Sequence, residues 1–224
     1  MADGSTLDGT LDRLRTNGIT AILTVHDASA ITDVVDALVA GGVSSIEVTL
    51  RTSSGWDAIE LLGGRTDAVV GAGTVLTAAD ARRAIESGAA FVVSPGLDAA
   101  VVDETRRLGA LPLPGIATPT ELQNALNLGL SALKLFPAEP LGGVDMLRAL
   151  AGPFAGVAFM PSGGITQPIL DSYLAQPNVF AVGCSWLVTA ELVAAGRFDE
   201  IARRAQEAAA VVTAARAPSL PERG

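Results

Sequence analysis

The chain has 224 residues, 49% of them hydrophobic and 17% charged, with a formal net charge of −9. That length and apolar content suit one domain with a substantial core, and the negative charge, with no basic run interleaved with aromatics, excludes nucleic acid as a partner. Cys184 is the single cysteine and His26 the single histidine, which argues against an internal disulfide, zinc hydrolases, Ser-His-Asp triads and Cys-His nucleophiles.

Catalysis is therefore left to Lys, Glu, Asp, Ser, Thr or Arg, with no metal and no cofactor expected. No apolar stretch approaches the roughly 18 to 20 residues that a membrane span needs. The opening Met-Ala-Asp-Gly-Ser lacks a basic region followed by an apolar one, so a cytoplasmic protein with no membrane partner is expected. The mean hydropathy of +0.42 is high for a monomer and points to a homo-oligomer.

Taken in chain order, short runs rich in Val, Ile or Leu begin near Ile19, Ser45, Ala68, Ala90, Leu111, Ala132, Val157 and Val179. Each ends in Gly, Pro, Thr or Ser and reads as a buried parallel strand. Between them lie segments of helical spacing. Several begin on a capping residue, at Thr77, Asp98, Thr118 and Thr166, and several finish on glycine, at Gly41-Gly42, Gly88, Gly109 and Gly129.

This alternation predicts an α/β fold: a (β/α)8 TIM barrel forming one domain over 1–224, with an extra N-terminal helix. An open doubly wound sheet shares the alternation, but strand one runs into Thr24-Val25-His26-Asp27 without the G-x-G-x-x-G that a dinucleotide site requires. Residues 1–6 and 216–224 are expected to be flexible.

Function in a barrel gathers at the C-terminal ends of the strands. In Ile46-Glu47-Val48-Thr49-Leu50-Arg51, alternation puts Glu47, Thr49 and Arg51 on the inner face. Two charges there are costly unless paired or used; a structural Glu47–Arg51 ion pair is the plain alternative. In Ala132-Leu133-Lys134-Leu135-Phe136, the same parity turns Lys134 toward the barrel axis. Of fifteen basic residues Lys134 is the single lysine and the rest are arginine, so this interior position uses the one cation that can form an imine. Burial favours its neutral form and a Glu47 carboxylate alongside favours the ammonium, a balance the residue types alone leave open. A purely structural Lys134–Glu47 pair is the competing reading.

Pro161-Ser162-Gly163-Gly164-Ile165 follows strand seven and Gly183-Cys184-Ser185-Trp186 follows strand eight. Glycines there let backbone N–H groups approach an anion, and a helix start near Thr166 adds its dipole, so the two loops together predict a phosphate site. Cys184, without a histidine or second cysteine nearby, reads as packing. His26 receives no role.

With these segments placed, the chain resembles the bacterial 2-keto-3-deoxy-6-phosphogluconate (KDPG) and 4-hydroxy-2-oxoglutarate (KHG) aldolase family from about Leu11 to Arg204. The resemblance runs through Ala40-Gly41-Gly42, Glu47-Val48-Thr49-Leu50-Arg51-Thr52, Gly71-Ala72-Gly73-Thr74-Val75-Leu76, Ser94-Pro95-Gly96-Leu97, Thr118-Pro119-Thr120-Glu121-Leu122 and Leu133-Lys134-Leu135-Phe136-Pro137-Ala138-Glu139. It implies a class I aldolase, metal-free and homotrimeric, acting on a phosphorylated keto acid.

In that scheme Lys134 forms the imine, Glu47 shuttles protons, and Arg51 with Thr74 holds the substrate carboxylate. Pro95 and Phe136 line the pocket, and Ser162, Gly163, Gly164 and Ser185 receive the phosphate. The chain departs from the family pattern at Ser162, where threonine is common, at Cys184, where glycine is frequent, and at Thr24, where some relatives carry arginine. The last departure favours the phosphogluconate branch over the phosphogalactonate one. Cleavage of 4-hydroxy-2-oxoglutarate, a phosphosugar isomerase or epimerase without an imine, and a barrel that only binds phosphorylated effectors are the competing functions.

Overall fold

The computed structural model describes residues 4–217. In chain order the elements are α1 (Gly4–Asn17), β1 (Ile19–Leu23), α2 (Ile31–Ala40), β2 (Ser45–Thr49), α3 (Ser54–Leu62), β3 (Val69–Gly73), α4 (Ala78–Glu86), β4 (Phe91–Ser94) and α5 (Ala99–Arg107). They continue as β5 (Leu111–Ile116), α6 (Pro119–Asn127), β6 (Ala132–Leu135), α7 (Gly143–Ala151), β7 (Ala158–Pro161), α8 (Leu170–Leu174), β8 (Val182–Cys184), α9 (Ala190–Ala194) and α10 (Phe198–Arg216).

The strands pair in parallel in the order β7-β6-β5-β4-β3-β2-β1-β8, and bridges between Phe159 and Val179 and between Ser162 and Gly183 bring β7 against β8. The ring is the expected (β/α)8 barrel, and α1 is the expected extra helix.

Strand parity builds two separate apolar bodies. Ile46, Val48, Leu133 and Leu135 face outward and join helix residues such as Val34, Val35 and Leu38 in one buried layer. Val69, Phe91, Leu111 and Ala132, each the first residue of its strand, face inward with Val93, Leu113 and Met160. Leu14 of α1 is buried among them, so the extra helix closes the N-terminal end of the barrel with a hydrophobic plug.

Local chemistry sets most helix starts as expected. The Thr77, Asp98 and Thr118 side chains accept from the backbone N–H groups of Asp80, Val101 and Glu121. At α6 the Glu121 carboxylate reaches back to Thr118 N–H, completing a capping box with Pro119 behind the cap.

Thr166 differs: its side chain makes no cap, and a 3-10 turn over Gln167–Ile169 precedes α8, which has only five residues. One glycine and one proline, Gly164 and Pro168, flank Thr166, and the helical segment opens there as a tight turn with Pro168 inside it.

The C-terminal edge of the described chain is helical. α10 continues through Arg216, whose guanidinium donates to the carbonyls of Arg15, Thr16 (3.1 Å) and Phe180 (2.8 Å), so Arg216 clamps the last helix to α1 and the segment just before β8. At the other end Gly4 already belongs to α1. The rest of the two expected flexible ends, 1–3 and 218–224, lies outside the described residues.

Candidate active site

Lys134 is the third residue of β6, paired in register with Gly115 on one side and Met160 on the other. Its parity directs the side chain inward, and it is 6% exposed. Nζ lies 3.3 Å from Glu47 Oε1. Glu47, the third residue of β2, is also buried, and its Oε2 has no hydrogen-bond partner among the described residues.

A buried carboxylate oxygen without a partner is costly and uncommon, so this pair is poorly explained as a structural brace. It leaves an acceptor lone pair open to the chamber beside an amine. The expected alternative pair, Glu47–Arg51, does not form: β2 ends at Thr49, Arg51 falls in the following turn, and it is exposed. Strand alternation therefore stops two residues short of where the sequence pattern extended it.

Glycine makes the chamber possible. A Cβ on Gly73 would lie 2.2 Å from Glu47 Oε1, and one on Gly71 would lie 2.4 Å from the Phe91 ring. β3 thus yields space to the carboxylate above and to the phenyl plug below, across the boundary between polar and apolar interior. A Cβ on Gly115 would meet Pro95 O at 2.3 Å. The chain leaving β4 at Pro95 therefore passes close over the register partner of Lys134.

Thr74 follows Gly73 with φ 59, a left-handed conformation that strains a β-branched residue. Its hydroxyl sits 3.4 Å from Arg51 Nε. Arg51 and Thr74, distant in sequence, are neighbours at the mouth.

Phe136 connects the two halves of the site. Its ring centroid is 5.2 Å from Lys134 Nζ, and a Cβ on Gly163 would come within 3.1 Å of the same ring. The Phe136–Pro137 peptide is cis.

Ser162 is buried and its Oγ is unpartnered among the described residues. It lies against Gly183, where an added Cβ would be 2.7 Å from Ser162 Cβ. Gly163 and Gly164 are both left-handed, with φ 96 and 84. Ser185 follows the end of β8 and is exposed. The two loops singled out in the sequence are adjacent through the Ser162–Gly183 bridge, and both follow the C-terminal ends of their strands, the end of the barrel toward which Lys134 lies.

Cys184 points outward into the helix-facing layer, and burial pushes its thiol up to about 12. It packs there. His26 is exposed and contributes only its carbonyl, which accepts from Ser54 Oγ at 2.9 Å. Thr24 Oγ1 is 3.1 Å from Thr49 Oγ1, so the hydroxyl at this departure from the family pattern is joined to the neighbouring strand.

Two contributors were missed in the sequence reading. Gly73 carried a visible signal, a glycine inside an apolar strand beside another glycine, which marks close approach of a neighbour. Glu139 sat in a quoted motif without a role; its partner Tyr173 lies 34 residues away, and no spacing in the sequence joins them. Among the described residues no group of three or more His, Cys, Asp or Glu is arranged to hold a metal ion.

A (β/α)8 barrel with a buried amine and carboxylate at its centre and glycine loops at its rim defines a class of enzymes acting on small phosphorylated carbonyl compounds. The comparisons narrow the class. The sequence matches the KDPG and KHG aldolase family over residues 11–204. It is 42% identical over 197 residues to the KHG/KDPG aldolase of Escherichia coli K12, covering 87% of this chain and 92% of that protein.

The crystal structure of the KDPG aldolase of Zymomonas mobilis ZM4 with 3-phosphoglycerate superimposes with a TM-score of 0.84 at 38% identity, covering 92% of this chain and 95% of that one. The Legionella pneumophila KDPG aldolase, solved with pyruvate captured as a covalent carbinolamine, gives a TM-score of 0.84 at 32% identity, covering 88% and 96%. The chain belongs to the KDPG and KHG aldolase family and is a carbon–carbon lyase.

Proposed function

We propose that this aldolase cleaves 2-keto-3-deoxy-6-phosphogluconate to pyruvate and glyceraldehyde 3-phosphate through a Schiff base on Lys134. The observation that carries the proposal is the buried Lys134–Glu47 pair, 3.3 Å apart with Glu47 Oε2 unpartnered among the described residues. The carbinolamine captured in the Legionella relative supports the same chemistry.

In this mechanism the neutral Lys134 amine adds to the C2 carbonyl, and the resulting carbinolamine loses water to give an iminium. Glu47 takes the C4 hydroxyl proton as the C3–C4 bond breaks, and the electron pair moves into the iminium to form an enamine. The aldehyde departs; the enamine is protonated at C3, and water returns the free amine and pyruvate. No metal enters any step.

Arg51, with Thr74 beside it, presents a guanidinium that can grip the substrate carboxylate bidentately. Pro95 and Phe136 wall the chamber and restrict the C2–C4 segment to a productive pose. The loop N–H groups of Gly163 and Gly164, with the Ser162 and Ser185 hydroxyls, take the phosphate. The proposal includes a cytoplasmic homotrimer, which light scattering on the purified protein checks.

A substrate panel tests the reading. Pyruvate release is expected to be fastest, by kcat/KM, from the phosphogluconate substrate, slower from its phosphogalactonate epimer, and slowest from unphosphorylated 4-hydroxy-2-oxoglutarate. Equal values for phosphorylated and unphosphorylated substrates would contradict the assignment of the glycine loops.

A further inference from the structure

The glycine loop after β7 is held from outside the reacting chamber. Ala138 N donates to Ser162 O at 2.8 Å, and Glu139 N donates to Gly163 O at 3.1 Å. Both loop carbonyls are thereby committed to the turn that leads from β6 to α7. The Gly164 N–H finds no backbone acceptor among the described residues, which leaves it available to an anion.

The Glu139 side chain completes the support. A Cβ on Gly164 would lie 2.7 Å from Glu139 Cβ and 3.0 Å from its Cγ, so the glutamate stem fills the room that this glycine leaves. The Tyr173 hydroxyl, from α8, donates to Glu139 Oε1. Gly143, left-handed with φ 60, admits the contact, since a Cβ there would fall 2.8 Å from Glu139 Oε1 and 3.0 Å from the Tyr173 hydroxyl.

Tyr173 is 1% exposed. Burial, and then the carboxylate it faces, push its phenol well above the ordinary range, so it stays a donor throughout neutral pH. A glutamate beside an anion site is a hazard if it can swing, because like charges repel and a free side chain costs ordering entropy on binding. Anchoring the carboxylate on a buried hydroxyl fixes the side chain before an anion arrives, so it neither swings nor needs ordering on binding.

We infer that Glu139 and Tyr173 form a strut that fixes the Ser162–Gly164 loop in its anion-receiving geometry, making them positioning residues that select the phosphorylated substrate. The inference rests on the reading of this loop as the phosphate site. Neither side chain is assigned to the reacting atoms, so the effect belongs to KM for phosphorylated ligands.

Kinetics on Tyr173→Phe, with glycerol 3-phosphate as a competing probe, tests it. KM for the phosphorylated substrate and the inhibition constant for glycerol 3-phosphate are both expected to rise about five- to tenfold, the size of one lost hydrogen bond of ordinary strength. kcat on that substrate, and both constants for 4-hydroxy-2-oxoglutarate, are expected to stay within about twofold. Glu139→Ala, which also removes the stem beside Gly164, is expected to act in the same substrate-selective way and at least as strongly.

A Tyr173→Phe protein with unaltered constants, or a parallel loss on both substrates with a lowered melting temperature, would overturn the strut. The wild type separates this from the underlying reading. Absence of inhibition by glycerol 3-phosphate there overturns the phosphate site and the strut together, whereas wild-type inhibition with an unaffected Tyr173→Phe overturns the strut alone.

Discussion

The barrel interior is one space with two chemistries. Its N-terminal half holds Leu14, Val69, Phe91, Leu111, Leu113 and Met160; its C-terminal half holds Glu47, Thr49, Lys134 and Ser162, all buried. The same strand parity places both sets, so parity decides which residues point inward but not what the interior does. The apolar half stabilises by burial. The polar half works against stability: it keeps two ionisable side chains and two oxygens unpartnered among the described residues, Glu47 Oε2 and Ser162 Oγ, out of water. Local rules give way where chemistry needs them to.

Substitution separates the two halves most sharply at Lys134. Lys134→Met is expected to lower kcat by about four orders of magnitude or more, the scale seen when a covalent nucleophile is removed. Lys134→Arg, which keeps the charge, should be equally inactive; retained activity would favour a site that merely neutralises an anion. Because Lys134→Met leaves the buried Glu47 carboxyl without its amine partner, it should also lower the denaturation midpoint, and adding Glu47→Gln should restore it. Glu47→Gln alone should reduce kcat by roughly 10²- to 10⁴-fold, the usual worth of a general base.

The apolar half should respond in the opposite sense. Leu14→Ala empties part of the plug far from Lys134 and is expected to cost about 2–5 kcal/mol in urea unfolding, with kcat per folded molecule nearly unchanged. A fall in kcat comparable to the stability loss would break the separation between the two halves.

Smaller effects come from the shell of helices. Thr118→Ala should cost about 1 kcal/mol through the lost cap on α6. The Ala117 N–H, followed by the Thr118 hydroxyl and N–H, holds the Glu121 carboxyl below its ordinary range. A depressed native pKa means that the unfolded chain binds the proton more readily. The Glu121 contribution is therefore fully present above the ordinary carboxylate range and lost as pH falls through the native value. Glu121→Gln should accordingly destabilise at neutral pH and make little difference in strong acid. At the small end, native Cys184 should resist iodoacetamide at neutral pH, since burial holds its thiol up to about 12.

Much of this molecule is written in its sequence because period-2 alternation and capping chemistry are local. Lys134, Glu47 and the three caps at Thr77, Asp98 and Thr118 follow from residues within one strand or one helical turn. Arg51 was placed inside the barrel because alternation carries no mark for where a strand stops; β2 ends at Thr49 when its ladder to β3 ends at Gly73. Thr166 looked like a cap because its residue type is right, but Pro168 and the glycine pair before it favour a tight turn. The Lys134–Glu47 pairing and the Glu139–Tyr173 contact join residues 87 and 34 positions apart, distances that only the closed ring brings together.

The most direct test of the account is reduction with borohydride in the presence of pyruvate, followed by peptide mass mapping. The account predicts a stable pyruvyl adduct on Lys134 in the wild type and none in Lys134→Met. A wild-type protein that turns over substrate yet carries no adduct at Lys134 would contradict it.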